Sequence, residues 1–529
     1  MKSGGFFVVL WGPPNAGERS TKRSLNKMQI YNTLTQEKAP FTTITPGEAR
    51  LYVCGPTVYD YSHIGHARCY VVYDVLVRHL RANGLDVTFT RGVTDVDDKI
   101  INRAAKNQED PLQLAERFLQ AYHEDMARLG NLEPDIEPKV SDHIDQIVAL
   151  VQRLIDNGSA YAVDGDVYFH VPNFADYGKL SHRNLDDMLA GASDRTASDE
   201  TARKKHPFDF ALWKGGDGSV KTWNSPWGPG RPGWHIECSA MSMHHLGESF
   251  DLHGGGLDLV FPHHENEIAQ SEAATCKCYA HTWMHNGFVQ VNKEKMGKSL
   301  GNFFLLREVF RRAEPEALRY ALMTMHYRGP FNLEWDNDEG GNLQGFPQFE
   351  EAEKRLEYVY TTRQRLEAIP KKRIVELADA KLPPDIMEYE ARLKSSLDDD
   401  LNTPVALAHT SELLSAINQL CDQAMAKKGK VAEVAVAAAH AGFRALSARL
   451  GLGADQPSAF LNRVRDRRAE AIGVDRDWVE RMLLQRRQAR EAKDFARADE
   501  IRDELGDRGV EVLDGQADTS WRLHATRNT

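Results

Sequence analysis

Cysteine is scarce in this chain: there are six among 529 residues, and none forms a CxxC pair. That excludes a disulfide framework and points to a reducing compartment, the cytoplasm. Long apolar runs are also missing. Nothing approaches the ~18–20 residues of a membrane-spanning helix, so no membrane partner is expected. Positive charge is in deficit, with 66 Lys and Arg against 77 Asp and Glu and a net charge of −11. Such a balance excludes a general nucleic-acid coat but leaves room for a local basic face. No repeat recurs at a fixed period, which excludes a solenoid. The length suggests two to four domains with ample core.

The start of the chain imitates a phosphate loop without being one. An apolar run, Phe6 to Trp11, leads into Gly12-Pro13-Pro14-Asn15-Ala16-Gly17. The position that should carry lysine holds Glu18, whose carboxylate repels phosphate. The apolar run is also too short for a secretory signal. Residues 1–27 therefore read either as a disordered extension or as sequence upstream of the real start, with Met28 as the functional beginning.

What is present is organised around the stretch from Cys54 to His66, CGPTVYDYSHIGH. Leu51-Tyr52-Val53 before it reads as a buried strand, and Val72, Val75, Leu76 and Leu80 after it share one helix face. Backbone N–H groups at a helix start favour anions, and Gly65 lets a ligand approach the backbone closely. His63 and His66 flank that gap and can donate to phosphate, which makes a cradle for a nucleoside triphosphate. Two surface histidines on a turn is the alternative. Val87 to Thr90 reads as the next strand, running into the polar turn Thr94-Asp95-Val96-Asp97-Asp98-Lys99. Ligands in open α/β sheets sit at such strand ends, so a βαβ nucleotide-binding half is expected.

Three segments offer metal ligands: Cys54, the stretch Trp234 to Cys238, and Phe261 to Glu267. His263 and Glu267 are four apart, which on a helix places both on one face. Two thiolates, an imidazole and a carboxylate make a reasonable zinc set. Ordinary buried cysteines and a charged helix start remain the alternative. His264-Glu265 begins like HExxH, but Ile268 stands where the second histidine belongs, so a zinc protease is excluded. Cys276 and Cys278 have the wrong spacing for a joint tetrahedral site, and Cys69 and Cys421 read as core.

Lysines 293, 295 and 298 follow the strand Gly287 to Val291, and Gly297 and Gly301 make their loop mobile. Such a loop is either a solvated turn or a cation clamp on a triphosphate. Phosphoryl chemistry needs charge neutralised as pyrophosphate departs more than it needs a protein nucleophile.

Together these pieces resemble the cysteinyl-tRNA synthetase family of class I aminoacyl-tRNA synthetases, over nearly everything from Met28 to Arg522. The resemblance is strongest at Cys54 to His66, Thr94 to Lys99, Ser225 to Met241, Asp251 to Glu272 and Lys295 to Phe304. It implies a Rossmann-type parallel-sheet catalytic domain with an insertion, then an all-α tRNA-binding region. The implied divisions are 28–131 and 231–307 for the two catalytic halves, 132–230 for the insertion, 308–380 for stem contact, 381–455 for an anticodon-side bundle and 456–529 for the anticodon-binding end. His63-Ile64-Gly65-His66 matches the HIGH signature, with Gly65 and His66 against ATP. Lys295-Met296-Gly297-Lys298-Ser299 matches the KMSKS loop, with Lys298 contacting ATP. Gly297 replaces the usual serine, which bears on loop closure more than on activity. Cys54, Cys238, His263 and Glu267 match four zinc ligands, and Thr94, Trp234, His253 and Asp258 match residues facing substrate.

The implied activity is cysteine–tRNA ligation: ATP, with Mg²⁺, activates L-cysteine, and the cysteinyl group passes to tRNA(Cys). Zinc would select the substrate thiolate, and a monomer is expected. Two other functions share parts of this pattern. A mycothiol-type ligase joins cysteine to an amino sugar but lacks an anticodon-binding end. A non-catalytic tRNA-binding paralogue would be expected to lose a signature residue. From Arg463 to Arg490 nine arginines face five acids, a local excess suited either to phosphate or to a solvated helix. Trp521-Arg522 suits stacking on an anticodon base or anchoring a core.

Overall fold

A parallel sheet of four strands forms from segments spread over more than two hundred residues. The computed structural model describes residues 28–184, 203–216, 221–296, 303–337, 343–377, 382–514 and 519–523. The extension expected at 1–27, and Gly297, Lys298 and Ser299, lie outside the described residues. Strand β1 (Gln29–Asn32) pairs antiparallel with β2 (Glu37–Pro40). Strand β3 (Glu48–Val53) leads to helix α1 (Ile64–Ala82), and β4 (Asp86–Arg91) returns parallel to β3. Leu51, Tyr52 and Val53 are all buried, as a strand covered on both faces requires. Helices α2 (Asp98–Asn107) and α3 (Pro111–Arg128) follow. Asp110 caps α3 by accepting from the N–H groups of Leu112 and Gln113, with Pro111 at the first helical position.

The insertion begins at the sheet itself, because Ile136 and Lys139 bridge to Thr90 and Val93. Helix α4 (Ile144–Asp156) precedes β5 (Ala160–Val163), β6 (Asp166–Phe169), β7 (Phe210–Gly215) and β8 (Gly230–Pro232), an antiparallel sheet in sequence order. That sheet runs two residues past the expected boundary at 230. The chain then re-enters the parallel sheet through α5 (Trp234–Leu246), β9 (Phe250–Gly256), α6 (Glu265–Thr275) and β10 (Ala280–Asn286). The strand order is β4-β3-β9-β10. Successive strands are added in opposite directions on either side of the parallel pair β3 and β9, and the carboxyl ends of such a pair open a ligand crevice.

Beyond the sheet, β11 (Val289–Val291) turns back into β12 (Glu294–Lys295) and pairs parallel with β13 (Phe331–Leu333). Helices α7 (Pro315–Met323), α8 (Pro347–Glu367), α9 (Tyr389–Asp398), α10 (Thr403–Met425) and α11 (Glu433–Leu450) form the helical region. Asn402 caps α10, so Asn402-Thr403-Pro404 does divide two helices. Two buried polar contacts tie this region to α1: Arg319 pairs with Asp74, and His79 sits between Asp398 and Arg449 at 2.9 Å from each.

Helices α12 (Pro457–Ala471), α13 (Arg476–Glu491) and α14 (Phe495–Asp507) precede a hairpin of β14 (Val510–Asp514) and β15 (Thr519–Leu523). The end of the chain is thus helical with one hairpin added. Trp521 packs into the small core of this end and is 4% exposed. Its indole N–H donates to Glu480 at 3.0 Å, and the Arg465 guanidinium lies over its ring. It anchors the core. Much of the arginine excess is also spent internally: Arg463 pairs with Glu314 and Asp455, Arg467 with Glu353, and Arg468 with Glu353 and Glu357. Among the described residues, no helix is long and apolar enough to cross a membrane.

Candidate active site and metal centre

Helix α1 is capped by its own two histidines. His63 is extended (φ −121°, ψ 172°), and its Nδ1 accepts from the Gly65 N–H at 3.1 Å. The His63 N–H donates in turn to His66 Nδ1 at 3.2 Å. Both Nδ1 atoms act as acceptors, so each neutral ring carries its proton on Nε2. The rings stack with centroids 3.8 Å apart. Gly65 permits this closeness, since a Cβ there would lie 2.8 Å from His63 Cε1. The lysine segment converges on the same place: the Met296 methyl would be 3.5 Å from that Cβ, and the Ile64 N–H donates to the Phe304 carbonyl. Lys295 lies in β12, after a tight turn in which Asn292 (φ 51°) and Lys293 (φ 68°) are both left-handed. The lysine segment therefore begins as a hairpin where the sequence suggested only a loop.

A buried cluster occupies the crevice between β3 and β9. Cys54 follows β3, and its N–H donates to the Gly254 carbonyl of β9 at 3.1 Å. Cys54 Sγ is 3.8 Å from Cys238 Sγ and 3.7 Å from Glu267 Oε1. His263 Nε2 is 3.1 Å from the same oxygen. The four donor atoms lie within 4.8 Å of one another, and all four residues are buried. Contact with Cys54 draws the Cys238 thiol down to about 6 against the effect of burial, with His263 assisting. Burial pushes the Cys54 thiol up. Burial would raise the Glu267 carboxyl, but His253 and His263 hold it well below the usual range. Two sulfurs, an imidazole nitrogen and an anionic oxygen, gathered in a buried cluster, fit the donor chemistry of zinc.

The cluster has a supporting layer. Glu267 Oε2 accepts from Tyr279 OH at 3.1 Å and lies 2.8 Å from His253 Nε2. His253, fully buried, stacks on Trp283, so it reaches the cluster through the carboxylate. Trp234 stacks on His263 and is partly exposed. Thr94 donates to the buried carboxyl of Glu237, one residue before Cys238, at 3.1 Å. Burial raises that carboxyl well above its ordinary value, with Cys238 and Asp97 adding to the effect. Asp258 is exposed on the turn Leu257–Leu259 after β9 and makes no contact with the cluster among the described residues.

Residues 40–339 match the family model of the tRNA synthetases class I (C) catalytic domain. Residues 392–454 match the DALR domain, and 477–522 the cysteinyl-tRNA ligase anticodon binding domain. The cysteine–tRNA ligase of Anaeromyxobacter dehalogenans is 51% identical over 94% of this chain and 99% of its own length. The chain belongs to the cysteine–tRNA ligase family. The cysteine–tRNA ligase of Thioalkalivibrio sulfidiphilus is 48% identical with the same coverage. The fold is shared more widely. Mycobacterium tuberculosis methionyl-tRNA synthetase, solved with methionyl-adenylate, superposes with a TM-score of 0.55 over 78% of this chain and 93% of its own, at 14% identity.

Within this cysteine–tRNA ligase fold, sequence reasoning missed the supporting layer. Glu237 and His264 stood inside quoted motifs without a role, and Tyr279 was not singled out. His264 Nε2 is 3.2 Å from Cys54 Sγ, so it forms a second edge of the cluster. For Glu237, a carboxylate between Ile236 and Cys238, a charged side chain among apolar neighbours was the available signal, and it carries little until the partner is known.

Proposed function

We propose that this chain joins L-cysteine to the 3′ end of tRNA(Cys) in two steps. The cysteine carboxylate attacks the α-phosphate of ATP, giving cysteinyl-adenylate and releasing pyrophosphate. A hydroxyl of the terminal adenosine then attacks the activated carbonyl, and AMP leaves. The observation that carries this reading is the buried Cys54–Cys238–His263–Glu267 cluster, linked to the paired histidines of α1 through Tyr70, whose ring stacks on His66 and whose OH donates to the Cys54 carbonyl.

In this reading no side chain is a covalent nucleophile. His63 and His66 present Nε2–H donors to the triphosphate, and Gly65 keeps the helix start open to it. Lys295 and Lys298 neutralise departing pyrophosphate, with Mg²⁺ accompanying ATP. Such catalysis is positioning and electrostatics. Cys54, Cys238, His263 and Glu267 would hold zinc, which binds a thiolate well and an alcohol poorly and so supplies the distinction between cysteine and serine. A purely apolar pocket separates such near-isosteres by only ~1–3 kcal/mol. Trp234 and Thr94 line the approach to the amino acid, His253 positions Glu267, and Asp258 lies on the adenosine side. Residues 28–131 and 231–307 act as the catalytic halves, 132–230 as the insertion, and 308–380, 381–455 and 456–529 engage the tRNA stem and anticodon. The enzyme is read as a cytoplasmic monomer.

The test is ATP–pyrophosphate exchange with cysteine, followed by charging of tRNA. Exchange with charging is expected. Exchange without charging, but with ligation to an amino sugar, would move the chain to the mycothiol-type branch. The match at 477–522 to an anticodon binding domain weighs against that outcome.

A further inference from the structure

Three imidazoles meet away from this site. His143 precedes α4, while His244 and His245 occupy the last turn of α5. Their ring nitrogens lie within 4.8 Å of one another. His143 Nε2 is 2.9 Å from His245 Nε2, and the His244 and His245 ring centroids are 4.7 Å apart. His143 is buried, His245 half-buried and His244 exposed.

The hydrogen-bonding of His143 is informative. Its Nδ1 lies 2.7 Å from the Lys139 carbonyl oxygen. A carbonyl only accepts, so Nδ1 holds the proton and the neutral ring aims the lone pair of Nε2 at His245. Metal-binding histidines are held in this way, with one nitrogen donating to a carbonyl and the other left for the ion. Two lone pairs cannot face each other at hydrogen-bond distance. Either His245 keeps a proton on Nε2, or a cation takes its place between the rings. The end of α5 favours the cation, because the last carbonyls of a helix carry partial negative charge.

We propose that His143, His244 and His245 form a second metal site, separate from the Cys54 cluster, that takes Zn²⁺ or a neighbouring divalent transition ion. Three neutral nitrogens suit those ions and not Mg²⁺ or Ca²⁺, which require oxygen. The exposure of His244 leaves a fourth position to water. The ion is a clamp. Lys139 and His143 lie where the chain leaves the parallel sheet, with Lys139 bridged to Val93. The same α5 carries Glu237 and Cys238 upstream. Binding thus pins the root of the insertion to the helix that serves the first cluster.

The test titrates Zn²⁺ calorimetrically into full-length protein already saturated at the Cys54 cluster. Wild type is expected to take up one further equivalent, and H244Q/H245Q to bind it at least about tenfold more weakly. Cu²⁺ added to protein loaded with zinc at the Cys54 cluster alone should show nitrogen hyperfine splitting in wild type and lose it in the double variant. No further equivalent in wild type, or equal uptake by both proteins, overturns the proposal. Should the double variant fail to fold, His244→Gln alone alters an exposed side chain and is expected to weaken uptake by about tenfold; unchanged affinity there also overturns it.

Discussion

The indole of Trp234 lies against the imidazole of His263, with centroids 4.2 Å apart and planes 29° from parallel. Trp234 is 37% exposed and His263 1%. The tryptophan is therefore the wall between solvent and the sulfur–imidazole–carboxylate cluster. Trp234→Ala should raise KM for cysteine in the exchange reaction by about 10–100-fold, the range for losing an outer partner of a metal ligand. The change in kcat should be smaller. A KM equal to wild type would reduce the stacking to simple packing.

Cys238→Ser removes the sulfur that contact with Cys54, assisted by His263, draws toward the thiolate form against the effect of burial. Retained zinc should fall by at least about 100-fold, beyond the cost of losing an outer partner. Exchange with cysteine should fall with it. Metal analysis of the dialysed variant checks the first statement and pyrophosphate exchange the second. Full exchange without zinc would separate cysteine binding from the metal.

Gly65→Ala places a methyl 2.8 Å from His63 Cε1 and 2.9 Å from His63 Nδ1. The ring must swing away and its cap to the Gly65 N–H breaks. Losing a helix cap costs about 1 kcal/mol, so the protein should stay folded. The exchange rate should drop by about 10²–10³-fold, as for loss of one fixed donor to developing charge. Zinc content should not change. Normal exchange would mean that the position of the His63 ring is immaterial.

Asp398 binds His79, and Lys394 also pairs with it. Burial alone would raise its carboxyl, but hydrogen bonds from His79 and Lys394 lower it from 3.8 to about 2. The depressed value means that the carboxylate contributes stability above the unfolded pKa and loses it as pH falls through the folded one. Asp398→Asn should therefore cost about 1–2 kcal/mol at neutral pH. The gap to wild type should narrow between about pH 4 and pH 2. Denaturant melts at several pH values decide this, and a gap that does not vary with pH would remove the charge from the explanation.

Some of the site was legible early because its signals are local. His63-Ile64-Gly65-His66 folds on itself: the cap, the stacked rings and the open glycine involve residues at most three apart. The arginine cluster was ambiguous for the opposite reason. Its charges are local, but their partners Glu353 and Glu357 sit on α8, more than a hundred residues away. Trp521 was ambiguous in the same way, since Glu480 and Arg465 decide its role.

The sequence by itself determined the strands and helices, the caps that start α1, α3 and α10, and the residue types able to bind phosphate and metal. Those follow from periodicity and from contacts within a turn. Only the tertiary structure decided that Cys54 and Cys238, 184 positions apart, share one crevice. It also decided that His253 reaches the cluster through Glu267, and that His143 meets the end of α5. Each of these depends on which strand lies beside which. That choice is made by burying both faces of β3 and β9 together, and no short window of sequence contains both.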